Sequence, residues 1–163
     1  DGISYIYSDL REKIFEKNYF DVITCISTLE HIGLENSEYN FFNINEIKKT
    51  KFNINNAKKR DDIIVIKEFN RILKKGGSLL LTVPYGKKNI YKSLRQYDDQ
   101  MINQIINTFN GKVKNISYAT YKNNKWKYCD KKDCIITNFG ERISKNEIVA
   151  SARSVVMLHM TKK

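Results

Sequence analysis

The chain has 163 residues, 41% of them hydrophobic, and a formal net charge of +11. That length suits one domain with a core, and no apolar stretch approaches the roughly 20 residues of a spanning helix. The charge invites an acidic partner, yet lysine greatly outnumbers arginine and the lysines are scattered. Arginine is the residue best suited to planar phosphate recognition, so nucleic acid is not the expected partner.

Taken in order, Ile3 to Tyr7 is short and β-prone, and Ser8-Asp9 breaks it. Leu10, Ile14 and Phe15 then give a weak helical spacing. Residues 1–18 carry charges throughout and show no secretory pattern. Asp1 rather than Met stands first, which leads to the expectation of a piece of something longer. Phe20 to Ile26 is a near-continuous apolar run, the pattern of a strand buried on both faces. Ser27 or Thr28 can cap a following helix.

Residues 35–60 are polar, rich in Asn and Lys, and weakly periodic; the expectation is an insertion or lid. Asp61-Asp62 opens a stronger helix with Ile63, Ile66, Phe69 and Leu73 on one face, acid at its start and Lys74-Lys75 at its end. Gly76-Gly77 is expected to stop it. Ser78 to Val83 is a buried strand closed by Pro84. Asp98-Asp99 starts the next helix, which Asn110-Gly111 ends. A strand over 112–121, a polar turn region over 122–134 and a last strand over 148–160 complete the chain. Strands alternating with helices predict an α/β domain with a largely parallel sheet.

Three cysteines, an odd number in a chain without a secretory signal, point to reduced thiols and a cytoplasmic setting. No second pair joins Cys129 and Cys134 to complete a zinc site, so no metal is expected.

Two segments, YFDVITCISTLEHIG and EFNRILKKGGSLLLTVPYG, resemble consecutive signatures of class I S-adenosylmethionine-dependent methyltransferases. The first is similar to that family's fourth strand and the turn after it. The second is similar to the helix, glycine turn and fifth strand, with Lys75 where the family usually has proline. YIYSDLREKIFEKNYFD resembles the third strand and its adenine-side loop. RQYDDQMINQIINTF resembles a subgroup found with surface-glycan biosynthesis proteins, and SARSVVMLHMTKK resembles the last antiparallel strand.

The resemblance implies a Rossmann-like α/β fold with helices on both faces, lacking the first two strands in this chain. Residues 1–163 then form one partial methyltransferase domain. The cofactor implied is S-adenosylmethionine and the acceptor a small molecule or glycan. The family's glycine-rich cofactor loop and ribose-binding acidic residue have no counterpart, so this segment alone is expected to be inactive. The alternatives are a non-catalytic basic binding module and a methyltransferase acting on RNA. Oligomeric state is left open.

The same resemblance places Asp9 and Leu10 near the adenine, although Asp9 can equally cap a helix over 10–17. Ser27 and Thr28 fall beside the methionine portion. Pro84, Tyr85, Arg95 and Tyr97 fall on the acceptor side. Glu30-His31 has three readings: a structural or cofactor-proximal turn, a general base at His31, or a metal pair of the Glu-x-x-Glu-His type. Ser27 stands where that motif needs its first Glu, which places the metal reading last.

Overall fold

A computed structural model describes residues 2–34, 60–91, 93–141 and 152–163. The expected insertion at 35–60 therefore lies almost wholly outside the described residues. Seven strands occur among them: β1 (Phe20–Ile26), β2 (Leu73–Pro84), β3 (Asn89–Ile90), β4 (Arg95–Gln96), β5 (Lys112–Lys122), β6 (Lys125–Cys129) and β7 (Ser154–Thr161). Three helices accompany them: α1 (Asp61–Ile72), α2 (Asp99–Phe109) and the short α3 (Lys131–Cys134). The main sheet runs β1-β2-β7-β5-β6, while β3 and β4 form a separate ribbon.

The class is Rossmann-like α/β, as expected, but the sheet is not largely parallel. Among the described strands of the main sheet only β1 and β2 pair in parallel; β2–β7, β5–β7 and β5–β6 are antiparallel. Alternation along the strands splits the sheet into two unlike faces. Ile23, Cys25, Leu79, Leu81, Val156, Leu158 and Met160 point into one core with Ile66, Phe69, Ile105 and Phe109 of the helices. α1 and α2 lie side by side over this face, joined where the Asn70 amide donates to the Phe109 carbonyl at 2.6 Å. Val22, Ile26 and Leu80 point the other way and are exposed. Among the described residues no helix covers that second face.

Four local expectations are corrected. Ile3 to Tyr7 forms no strand and is exposed; among the described residues it has no ladder partner, and β-propensity alone does not hold a strand. Residues 10–17 form no helix, so Asp9 is not a helix cap. α1 ends at Ile72 rather than at Gly76-Gly77, because fully buried Leu73 is already extended and paired with Phe20. Residues 74–77 then bulge out of the ladder before Ser78 meets Val22. Gly76 has φ +78°, and a side chain on Gly77 would meet the Asp21 and Lys74 carbonyls at 2.9 Å. The glycine pair serves a bulge, not a cap.

The fourth correction concerns 122–134. Its first half is β6, paired with β5 through a two-residue turn at Asn123-Asn124, both at positive φ. That is the conformation a tight hairpin requires and asparagine tolerates. The α2 start was read correctly: the Asp98 carboxylate accepts from the Met101 amide at 2.9 Å, and Asn110 ends the helix at φ 51°.

The exit of β2 depends on a close approach. Gly86 donates its amide to the Tyr97 carbonyl, and Lys87 donates to the Thr137 carbonyl, each at 2.9 Å. A Cβ on Gly86 would collide with the Gln96 amide and with backbone and side chain of Thr137. Gly86→Ala is expected to destabilise the fold by about 1–3 kcal/mol, the usual cost of overpacking. Urea denaturation of the two proteins measures it; an unchanged midpoint would show that this junction yields freely.

Candidate functional site

Because β1 and β2 run in parallel, their carboxyl ends open at the same end of the sheet. That end is where open α/β sheets hold ligands. β1 delivers Ser27 and Thr28, then a single 3-10 turn over Leu29–His31. The Ser27 amide donates to the Thr82 carbonyl at 3.2 Å, and Ser27 takes positive φ. Thr28 does not cap the turn through its side chain; its hydroxyl donates back to the Ile26 carbonyl at 3.0 Å. Both residues therefore shape the turn by which the chain leaves the sheet.

The turn is bound to the 93–97 segment at three points. His31 Nδ1 lies 2.6 Å from the Ser93 carbonyl, so that nitrogen carries the proton. The Arg95 guanidinium donates to the Ile32 carbonyl at 2.6 Å. The Tyr97 hydroxyl lies 3.4 Å from the Leu29 carbonyl and 3.1 Å from Asp62 Oδ2. Arg95 and Tyr97 are fully buried, and burial beside Asp62 raises the Tyr97 phenol well above its ordinary range. These two expected acceptor-side residues brace the site from within.

Pro84 and Tyr85 are buried as well. Pro84 gives its carbonyl to the Tyr97 amide at 2.9 Å. The Tyr85 hydroxyl donates to Asp99 at 2.6 Å, and Lys131 pairs with the same carboxylate at 2.8 Å.

The sequence pattern marks Asp62 only as acid at a positive helix end. It is completely buried, bridged by Arg60 at 2.8 Å and by the Tyr97 hydroxyl. A signal existed: Asp62, Ile66, Phe69 and Leu73 share one helical face, so one acid of the doublet had to point inward.

Glu30 is the opposite case. It is 3% exposed, and its Oε2 has no hydrogen-bond partner among the described residues. Burial pushes its carboxyl from 4.5 up to about 7. Its Oε1 lies 4.0 Å from His31 Nε2, and its charge adds to the burial that pushes the Cys25 thiol up to about 11. A carboxyl poised near neutrality beside an imidazole can hold or pass a proton. No cluster of three metal-ligating side chains occurs among the described residues.

Asp9 and Leu10 reach the same end from the chain that precedes β1. With Ile32, Gly33 and Leu34 they line a cleft of about 260 Å³. Arg11 holds Asp9 down to about 2 and also pairs with Asp61 at 2.7 Å. Leu10 and Thr28 also line a mostly apolar cleft of about 290 Å³ with Phe15, Val22 and Phe69. Asp9, Leu10 and Thr28 thus border two adjoining clefts, whereas Ser27 lines neither.

No protein-family model matches the sequence, and no curated protein sequence matches it. Solved structures do match. A Bacillus halodurans C-125 protein assigned as a methyltransferase aligns with TM-score 0.57 at 12% identity, covering 98% of this chain and 78% of that one. A SAM-dependent methyltransferase of Methanosarcina mazei aligns with TM-score 0.53 at 9% identity, covering 95% and 65%. Across the solved chains compared, this chain spans 33% to 78% of the partner's length, and less than two thirds of several of them. The likeness shows the fold: that of class I SAM-dependent methyltransferases.

The Glu30 carboxyl generates a pH prediction. A carboxyl with a raised folded-state pKa binds its proton more tightly when folded. Its favourable contribution is complete below about 4.5 and is lost as pH rises through about 7. The loss amounts to about 3 kcal/mol. The stability of Glu30→Gln minus that of the parent should therefore grow by about this amount between pH 4.5 and pH 8. Urea denaturation at both values reads it, and a pH-independent difference would refute the assignment.

Proposed function

We propose that the chain forms the acceptor-side part of an S-adenosylmethionine-dependent methyltransferase acting on a small molecule or a glycan. The observation that carries this is the buried Glu30 carboxyl, whose Oε2 has no hydrogen-bond partner among the described residues and whose Oε1 faces an oriented His31, at the strand exits of a methyltransferase-type sheet.

The clefts fit parts of the cofactor. The apolar cleft bounded by Leu10, Phe15 and Thr28 suits a planar ring, whereas the Asp9 oxygens already accept four hydrogen bonds from Arg11, two on each oxygen. The cofactor would supply an electrophilic methyl group, which the acceptor would take by direct displacement of the sulfur leaving group. The chain's own residues position the acceptor and take its proton. Ser93 fixes the His31 tautomer with Nε2 as the basic nitrogen, and Glu30 stands next to it to share the proton. Transfer of this kind depends chiefly on alignment at near-attack distance, which the buried braces Arg95 and Tyr97 would secure.

The reading also supposes a further strand along the edge of β1 that has no ladder partner among the described residues, bringing a glycine-rich loop to the methionine end. Isothermal titration tests it. The chain alone should show no micromolar binding of S-adenosylmethionine, and a polypeptide extended by the residues encoded upstream of Asp1 should bind. Failure of the extended polypeptide to bind would sink the proposal.

One observation favours a second acceptor class. The β5–β6 hairpin carries Lys122, Lys125 and Lys127 around exposed Trp126 and Tyr128, a composition that suits stacking on single-stranded RNA. If RNA is the acceptor, its affinity should fall steeply with salt and drop severalfold in Trp126→Ala. Salt-independent or absent RNA binding returns the choice to a small molecule or glycan.

A further inference from the structure

The two cysteines that fail as a zinc site lie together for another reason. Cys129 is the last residue of β6, partly exposed, on the wall of a cleft of about 510 Å³. Cys134 is the last residue of α3 and fully buried. Their sulfurs are 3.0 Å apart. A disulfide bond is about 2.05 Å long, so closure asks for a movement of only about 1 Å. Cys25, the third thiol, is buried on β1 beside Glu30 and has no such neighbour.

We propose that Cys129 and Cys134 are a redox-active dithiol that closes to an intramolecular disulfide by exchange with a small-molecule disulfide. In the first step the Cys129 thiolate attacks one sulfur of the oxidant, forming a mixed disulfide and expelling one thiolate. In the second the Cys134 thiolate attacks the Cys129 sulfur, closing the protein disulfide and expelling the second thiolate. Two protein thiols are oxidised, one disulfide is reduced to two thiols, and each expelled thiolate takes up a proton lost by a cysteine.

The geometry sets the order of attack. Cys129 is reachable from the cleft, whereas Cys134 sits under β5 with its sulfur 3.9 Å from the Ala119 carbonyl. Burial, then Cys134, then Asp133 and Asp130 push Cys129 up to about 12. Exchange is therefore slow at neutral pH and speeds up as pH rises, although Lys122 and Lys127 also line the cleft. The ring closed is short, so the bond acts locally rather than as a large stabiliser. It fixes α3, whose Lys131 pairs with the Asp99 that accepts the Tyr85 hydroxyl. The same helix gives its Cys134 carbonyl to the Thr137 hydroxyl at 2.8 Å, against which Gly86 is packed.

The test equilibrates the folded chain, and the same chain unfolded in guanidinium, with a graded series of reduced and oxidised glutathione. Remaining thiols are alkylated after an acid quench and the peptides are read by mass spectrometry. The folded chain should form the Cys129–Cys134 disulfide at a ratio about tenfold or more less oxidising than the unfolded chain requires, with Cys25 alkylated throughout. Cys129→Ser should abolish the cross-link, and a normal far-UV spectrum shows that this variant folds. Equal ratios for folded and unfolded chain would overturn the proposal. So would a glutathione adduct that persists on Cys129 while Cys134 remains alkylated.

Discussion

Parallel pairing of β1 with β2 is the constraint on which the arrangement rests. A parallel pair cannot be joined by a tight turn and needs a crossover. Here the crossover includes α1, whose apolar face closes the core over Ile23, Cys25, Leu79 and Leu81. The same pairing sends Thr28 and Pro84 out at one end of the sheet. Everything later assigned to the site, from the His31 turn to the Tyr85 junction, follows from that shared direction. An antiparallel β1 would have put Glu30 and Tyr85 at opposite ends.

Two buried acids show how the fold separates support from chemistry. Asp62 loses all its water but gains the Arg60 guanidinium and the Tyr97 hydroxyl. Such pairs give little net stability, but removing one partner would strand a charge and cost several kcal/mol, about 3–5. The group therefore pins α1 to the turn after β1. Glu30 is buried almost as deeply without equivalent partners, and its carboxyl resists ionisation. A merely structural position would tolerate an apolar residue there more cheaply. Under the proposed function, a carboxyl with Oε2 unpartnered among the described residues and Oε1 facing His31 is placed to handle a proton.

The sequence disclosed the strands better than their surroundings. Apolar runs such as DVITCI and SLLLTV are legible as strands, although the burial on both faces expected of them is not met among the described residues, where Val22, Ile26 and Leu80 are exposed. The α2 cap was legible because Asp98 meets a local rule, its carboxylate reaching an amide three residues on. What stayed hidden depends on partners distant in sequence. Ile3 to Tyr7 has β-prone residues but no neighbour to pair with among the described residues. The glycine pair at 76–77 looks like a helix stop, yet Leu73 is claimed first by pairing with Phe20. The β6 hairpin was masked by polar residues, though Asn123-Asn124 between alternating segments carried the signal. In the site, His31 was visible as a residue type. The burial of Arg95 and Tyr97, and the Glu30 Oε2 left without a hydrogen bond among the described residues, are properties of packing that no local pattern encodes.

The edge of β1 away from β2 is the least protected one among the described strands. Among the described residues β1 has a ladder neighbour only on the β2 side. Its segment FDVITCI has high β-propensity, no proline and one charge, Asp21, which Lys74 holds at 2.8 Å. Protected edges in other proteins carry charges, bulges or cover. Here the only irregularity lies between Phe20 and Val22, at the strand's first turn of register, and leaves the rest of the edge straight. Val22 and Ile26 add an exposed apolar flank on the uncovered face. An edge with so little defence among the described residues offers a template for pairing with another strand. Under the proposed function, one strand at this edge would also bring a cofactor loop to the end of the sheet. One β-strand laid parallel to β1 would end at the Ser27–Thr28 exit and hand its following loop to the clefts bordered by Asp9, Leu10 and Thr28.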